Sequence, residues 1–447
     1  MEKQTFGKQN WRILLLFGLI GQIAWSVENM YFNLFVFETI APDLGAVTLM
    51  VQLSGIAATV TTLVAGTLSD KLGNRRSFIS LGYMIWGVTV ALFGMLNPDG
   101  IGQLLGIDAM RAVTVTLTLA VVGDCVMTVF GSTANDAAFN AWVTDNTKEQ
   151  FRGSVEGVLS ILPLLAMLIV AGGFGILVEA IGYRALFLAL GAVITLCGAL
   201  GLFMVKDSAA LTKSGSLRDI AYGFYPRVIR ENKTLYLTLL VMCIYGVACQ
   251  IFMPYIIIYM KTYLGFTTVE YSIIFGLAIL LGAGVNLYLT RLSDRLHKGK
   301  LLYGAAGVFA LGLFAMYLSR FGSKLTVLVT FGVAGFVMIT GYIFISALCG
   351  AMVRDCTPEG EVGKLQGVRM VFSVLIPMLL GPMIGNAINK AANVKLPDAG
   401  ADIMTTEYIP APGIFLAAAL VTLAMLALLP VLNKTLKKAG ENNEIAD

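Results

Sequence analysis

Twelve apolar runs punctuate the chain, near residues 13–39, 45–66, 78–96, 114–139, 155–178, 183–204, 235–260, 269–290, 301–319, 325–349, 367–389 and 411–432. A helix rises about 1.5 Å per residue, so roughly 20 residues cross a hydrocarbon core of about 30 Å, and the runs have that length. Helices are the open-ended way to span lipid, because each satisfies its own backbone donors and acceptors. The pattern predicts an all-α membrane protein with twelve transmembrane helices.

The polar stretches between the runs repeat. GTLSDKLGNRR (66–76) aligns with TRLSDRLHKGK (290–300), keeping Leu-Ser-Asp in register. AWVTDNTKEQFRGSVEGV (141–158) aligns without gaps with AMVRDCTPEGEVGKLQGV (351–368), with identities at Ala141, Val143, Asp145, Thr147, Glu149, Gly153, Gly157 and Val158. Equivalent loops in two six-span halves imply a duplicated bundle. The expected organisation is a bundle over 1–205, a solvated linker over 206–234, a second bundle over 235–433 and a tail over 434–447. Two six-helix halves joined by a linker are the pattern of alternating-access carriers, whose substrate site lies near the midplane between repeats.

Composition agrees with a lipid environment. Of 447 residues 57% are hydrophobic and 13% charged, about half the charged share of a soluble domain. The net charge of +4 is no nucleic-acid signal, because the cations follow topology. With the N-terminus inside, 24 of the 31 Lys and Arg fall in inner segments, so the positive-inside rule puts both termini in the cytoplasm of a cell-membrane protein. Five of the six cysteines fall inside spans and Cys356 in an inner loop, so no structural disulfide is expected. The first span follows a short basic segment without a small-residue cleavage site and reads as a retained helix.

Gly66-x-Leu68-Ser69-Asp70-x-x-Gly73-x-Arg75-Arg76 resembles the motif joining the second and third helices of the major facilitator superfamily. Asp145 through Arg152-Gly153 resembles that superfamily's motif after the fourth helix. The resemblance implies two pseudo-symmetric bundles and a conformational latch built from Gly66, Asp70, Gly73, Arg75, Arg76, Asp145 and Arg152, with Asp294 and Asp355 in the second half. Physically, Gly73 permits a tight turn, and the Arg pair is expected to anchor at an anionic leaflet. Asp70 is expected to face a helix N-terminus or a cation.

Ionisable groups inside spans each cost about 2.5 kcal/mol or more at the bilayer centre. Glu28, Asp124 and Asp136 are such groups, and no Lys or Arg lies deep in any run. Buried carboxylates without cations need a proton, a metal ion or a cationic substrate to neutralise them, which is minimal equipment for coupled transport. All three acids lie in the first half, so ion coupling is expected there.

Gln22, Ser26, Asn29 and Asn33 share one helical face at i, i+4, i+7 and i+11, bordered by Trp25, while Glu28 points some 100° away. Asp124, Thr128, Ser132 and Asn135 form a similar stripe in the fourth span, with Asp136 at its edge. The second half offers the neutral groups Tyr245, Cys249, Gln250, Asn286, Tyr342 and Ser346. Expected substrate contacts are Gln22, Trp25, Ser26, Asn29, Asn33, Thr128, Asn135, Tyr245, Gln250, Tyr342 and Ser346, around a neutral polyhydroxylated solute. No cofactor, metal or nucleic-acid partner is expected, and the carrier is expected to be monomeric.

The first helix (GLIGQIAWSVENMYFNLFVFETI), the Asp145-to-Arg152 segment and the fourth-span acid are also similar to the glycoside–pentoside–hexuronide:cation symporters and related sucrose carriers. Sodium-using members carry acids four and eight residues before the loop glycine, where this chain has Thr62 and Ala58, so the resemblance implies a proton in preference to sodium. A drug or metabolite exporter is the nearest rival, since Gly381-Pro382-x-x-Gly385 resembles an antiporter motif. That motif belongs in the fifth helix, where this chain reads AGGFG (171–175). A non-transporting sensor is more remote, and an enzyme lacks a constellation: the one His, His297, lies in a loop, and no HExxH, GxSxG or nucleotide-binding glycine loop occurs.

Overall fold

The computed structural model describes residues 7–147, 152–208, 219–293, 298–358, 362–395 and 408–436. Those up to 208 belong to one compact unit and those from 219 onward to a second. Among the described residues the structure is helical, apart from one isolated bridge between Lys395 and Tyr408.

Eleven described stretches are long and apolar enough to cross a membrane. One of them, Gly157–Met204, runs 48 residues, roughly twice what a crossing needs. It breaks at Gly182, whose φ of 79° and ψ of 160° fall in a region open essentially to glycine alone. That stretch therefore holds the fifth and sixth spans, and the described residues make twelve crossings.

The two units pack their spans by one scheme. In the first, span one lies on five, two on four, and three on six. In the second, span seven lies on eleven, eight on ten, and nine on twelve. Small residues permit the closest approaches. A Cβ at Gly87 would collide with the Gly191 carbonyl, one at Gly312 or Gly341 would meet the facing backbone, and Gly381 and Gly385 rest directly on Gln250 and Ile251. Gly381-Pro382 thus seats the eleventh span against the seventh, and Tyr255 Oη donates to the Pro382 carbonyl at 2.9 Å. Close backbone packing of this kind is how helices associate where lipid supplies no hydrophobic drive.

The linker differs from its expected solvated form. Asp219–Tyr222 and Pro226–Glu231 are helical. Val228 sits in a core with Leu235, Leu239, Val353, Leu365 and Val368, and Tyr236 Oη donates to the Gly223 carbonyl. The apolar side of VIRE was too short a pattern to set against its charged neighbours.

Several spans contain π-helical turns, at Glu28–Phe32, Val36–Ile40, Ser132–Phe139, Val170–Phe174 and Val371–Leu375. Each widens the helix locally and resets the phase of the residues beyond it. Two of them hold Glu28 and Asn29 of the first span and Ser132, Asn135 and Asp136 of the fourth.

Candidate functional site

The first unit gathers its acids at two depths. Glu28 is 7% exposed and Asp124 2%, and neither has a Lys or Arg partner among the described residues. Thr128 Oγ1 lies 3.0 Å from Glu28 Oε1 and, in the i to i−4 bond usual for a helical threonine, 2.8 Å from the backbone carbonyl of Asp124. Ser54 of the second span is buried beside the Asp124 carboxyl. Glu28 Oε2 and Asp124 Oδ1 are buried with no hydrogen-bond partner among the described residues. A buried oxygen of this kind costs free energy until something binds it. Asp136 is only half-buried, and it is better satisfied, accepting from Ser132 Oγ at 3.1 Å and Asn135 Nδ2 at 3.2 Å.

The expected first-span stripe divides. Gln22 lines a small cleft with Gly18, Asn135, Phe139, Asn140, Leu159 and Leu162. Ser26 is half-buried and Asn29 exposed, but Asn33 is 1% exposed, its Nδ2 donating to the Asn29 carbonyl at 2.9 Å. The π turn beginning at Glu28 is the cause. One extra residue in the turn rotates everything beyond it back by about 100°, carrying Asn33 away from Gln22 and into the interior. Thr128 likewise belongs with the acids, 1% exposed, and not on a solute-facing surface. Glu28 points into the unit, where its carboxyl meets Thr128 of the fourth span.

Trp25 is less free than the pattern suggested. It packs on Trp86 of the third span, centroids 5.0 Å apart, over the bare face of Gly131. Tyr83, one turn before Trp86, holds its hydroxyl 2.7 Å from the Phe17 carbonyl and 3.0 Å from Asn135 Oδ1, two acceptors for its single proton. Gly21 leaves the space these two side chains occupy. Tyr83, Trp86 and Ser54 were not singled out from sequence; the i, i+3 pair on the third span was the available signal.

At the loop between the second and third spans, Gly73 adopts the left-handed conformation, φ 62°, and ends the second helix. Asn74 caps the third, its Oδ1 accepting from Ser77 N at 2.9 Å. Arg75 does not anchor at a lipid surface as expected. Its side chain is 5% exposed and pairs with Asp70 and, at 3.0 Å, with Asp145, while Nη1 donates to Ser69 Oγ at 2.6 Å. Arg76 donates to the Leu202 carbonyl. Gly66 faces Ala137 of the fourth span. The Arg152 side chain and Asp294 lie outside the described residues.

In the second unit, Asp355, equivalent to Asp145, pairs with Lys298 at 2.5 Å. Tyr245 is buried, donating to the Tyr342 carbonyl at 2.9 Å. Tyr342 and Gln250 are half-buried and Ser346 is exposed.

A family model for the Major Facilitator Superfamily matches residues 14–349. No curated protein sequence matches the chain. Among solved structures, a point mutant of the nucleoside transporter NupG superposes with a TM-score of 0.69 at 10% identity, covering 94% of this chain and 99% of the other. A bacterial homolog of the human lysosomal transporter Spinster gives 0.60 at 15% identity, covering 95% of each chain. A bacterial metal transporter gives 0.60 at 15%, covering 96% and 100%. At these identities the likeness is one of fold.

Proposed function

The chain belongs to the major facilitator superfamily, a multi-pass membrane transporter and not an enzyme, and we propose that it moves a small neutral polar solute by alternating access coupled to a cation. The observation that carries this reading is the Glu28–Asp124 pair. Two buried carboxyls with no cationic partner among the described residues, each keeping an unpartnered oxygen, suit a site that takes up and gives back one small ion. A proton is favoured over sodium: a proton needs a single acceptor, whereas a larger cation needs several oxygens around it. On this reading Glu28 and Asp124 couple the ion, and the half-buried Asp136 faces the solute side.

The candidate solute-binding groups are Gln22, Trp25, Ser26, Asn29 and Asn135 in the first unit and, taken by itself, Tyr342, Gln250 and Ser346 in the second. These are amides, hydroxyls and aromatic rings, which bind hydroxyl groups without needing charge. A sugar or glycoside fits that chemistry. A nucleoside, itself a ribosyl glycoside and the cargo named for one structural neighbour, belongs in the same screen. The Arg75 cluster would act as the latch that holds one conformation, and Lys298–Asp355 as its counterpart.

The test is uptake into proteoliposomes of a radiolabelled panel of sugars, glycosides and nucleosides, with and without an inward pH gradient. Gradient-driven uptake of one panel member, lost in Asp124→Asn while solute exchange persists, is the expected result. Outward flux of lipophilic cations would favour an exporter, and absence of any flux a sensor.

A further inference from the structure

The residues leaving the sixth span do more than lead into the linker. Asp207 Oδ1 accepts from Arg75 N at 2.8 Å and from Arg76 N at 2.9 Å. These are the first two amides of the third span, which helical bonding leaves without partners. Asn74 already caps that helix through Ser77 N, so Asp207 serves the donors the local cap misses, from 132 and 131 residues away. One residue earlier, the Lys206 carbonyl accepts from Trp142 Nε1 at 2.8 Å. Trp142 is fully buried and stands three residues before Asp145. The Leu202 carbonyl takes the Arg76 guanidinium, and the Met204 carbonyl takes Gln9 Nε2 at 2.8 Å.

The consequence is specific to the charge cluster. Arg75 and Asp145 lie on different spans, and the same two linker residues grip both: Asp207 holds the backbone of Arg75, and Lys206 holds the helix of Asp145. Both grips use groups of opposite or complementary polarity at a helix terminus or an indole donor. Further along, the linker becomes the Pro226–Glu231 helix, whose Val228 is fixed in the core of the second unit.

We infer that Asp207 is a positioning residue for the Arg75–Asp145 clasp, so that displacement of the linker loosens the clasp itself. In its consequence for solute flux the inference rests on the transport reading. As a statement about the clasp it stands without that reading. It also predicts an asymmetry, because Asp207→Asn keeps an acceptor oxygen and Asp207→Ala keeps none.

The experiment uses the full chain in lipid nanodiscs and reads two signals by mass spectrometry. Amide exchange over residues 74–78 reports the cap, and phenylglyoxal modification of Arg75 reports the clasp. Loss of the two Asp207 bonds is expected to raise exchange about tenfold or more. In Asp207→Ala, Arg75 modification should rise several-fold alongside it, with Asp207→Asn in between. Trp142→Phe, which loosens the other grip while keeping the aromatic core, should raise Arg75 modification without altering the cap. Asp70→Asn is the positive control for an opened cluster. The inference is overturned if Asp207→Ala speeds exchange while Arg75 stays as protected as before, since the bond would then be a local cap only. It is overturned too if neither signal moves. Failure of the transport reading would show elsewhere, as absence of flux with both clasp signals behaving as expected.

Discussion

Thr128 carries one hydroxyl proton, yet two acceptors lie within reach, Glu28 Oε1 and the Asp124 carbonyl. A hydroxyl donates once and accepts twice. In the proposed coupling a proton on Glu28 resolves the conflict: Glu28 donates to Thr128, and Thr128 donates to the carbonyl. Removing the hydroxyl in Thr128→Val should then leave a buried carboxyl unsatisfied, a loss of about 1–3 kcal/mol. The expected outcome is a lower unfolding temperature in detergent and weaker gradient-driven uptake, with Thr128→Ser close to the parent in both. Arg75→Gln belongs at the same scale. It would strip the cation from a cluster in which Asp145 is half-buried, so the cost falls below the roughly 3–5 kcal/mol of breaking a fully buried pair. The exposed side of Asp70, 41% accessible, should soften that cost through solvent. Reduced thermal stability that Arg75→Lys only partly restores is the outcome to look for, since lysine cannot reproduce the forked contacts to Asp70, Asp145 and Ser69.

Single glycines decide how the spans meet. Gly87 and Gly191 put the backbones of the third and sixth spans in direct contact. A larger side chain there must push two long helices apart, and overpacking costs about 1–3 kcal/mol. Gly191→Leu is expected to lower the unfolding temperature, whereas a leucine at Gly304 or Gly307, where nothing lies near the added carbon, should be tolerated. Gly182 acts differently. Its conformation separates the fifth and sixth spans, so Gly182→Ala should destabilise through backbone strain alone. At this scale the sequence was legible in part. Span positions were readable from apolar runs, but the π turns were not, because no side-chain pattern marks an extra residue per turn. Asn33 was set on the polar stripe for that reason, and the contact between Glu28 and Thr128 could not be foreseen.

The duplication governs the molecule as a whole. The Asp145 and Asp355 loops align in sequence, and each acid pairs with a cation of its own unit, Arg75 in one and Lys298 in the other. The repeated packing scheme of the spans has the same six-helix period. Twelve crossings require the two ends of the chain to emerge on one side, and the distribution of Lys and Arg is expected to place that side in the cytoplasm. Reporter fusions at Met1 and at Asp447 should therefore both give the cytoplasmic signal. A split result would remove one crossing, and the place to look would be Gly182.

The sequence by itself determined the spans, the repeat and the superfamily, because length, hydropathy and loop motifs are local properties that lipid imposes on any helix crossing it. Only the tertiary structure decided which polar groups meet. Glu28 finds Thr128 across 100 positions and Asp207 finds Arg75 across 132. Such contacts depend on helix phase and on small-residue packing between spans, and neither is written in any single stretch of chain.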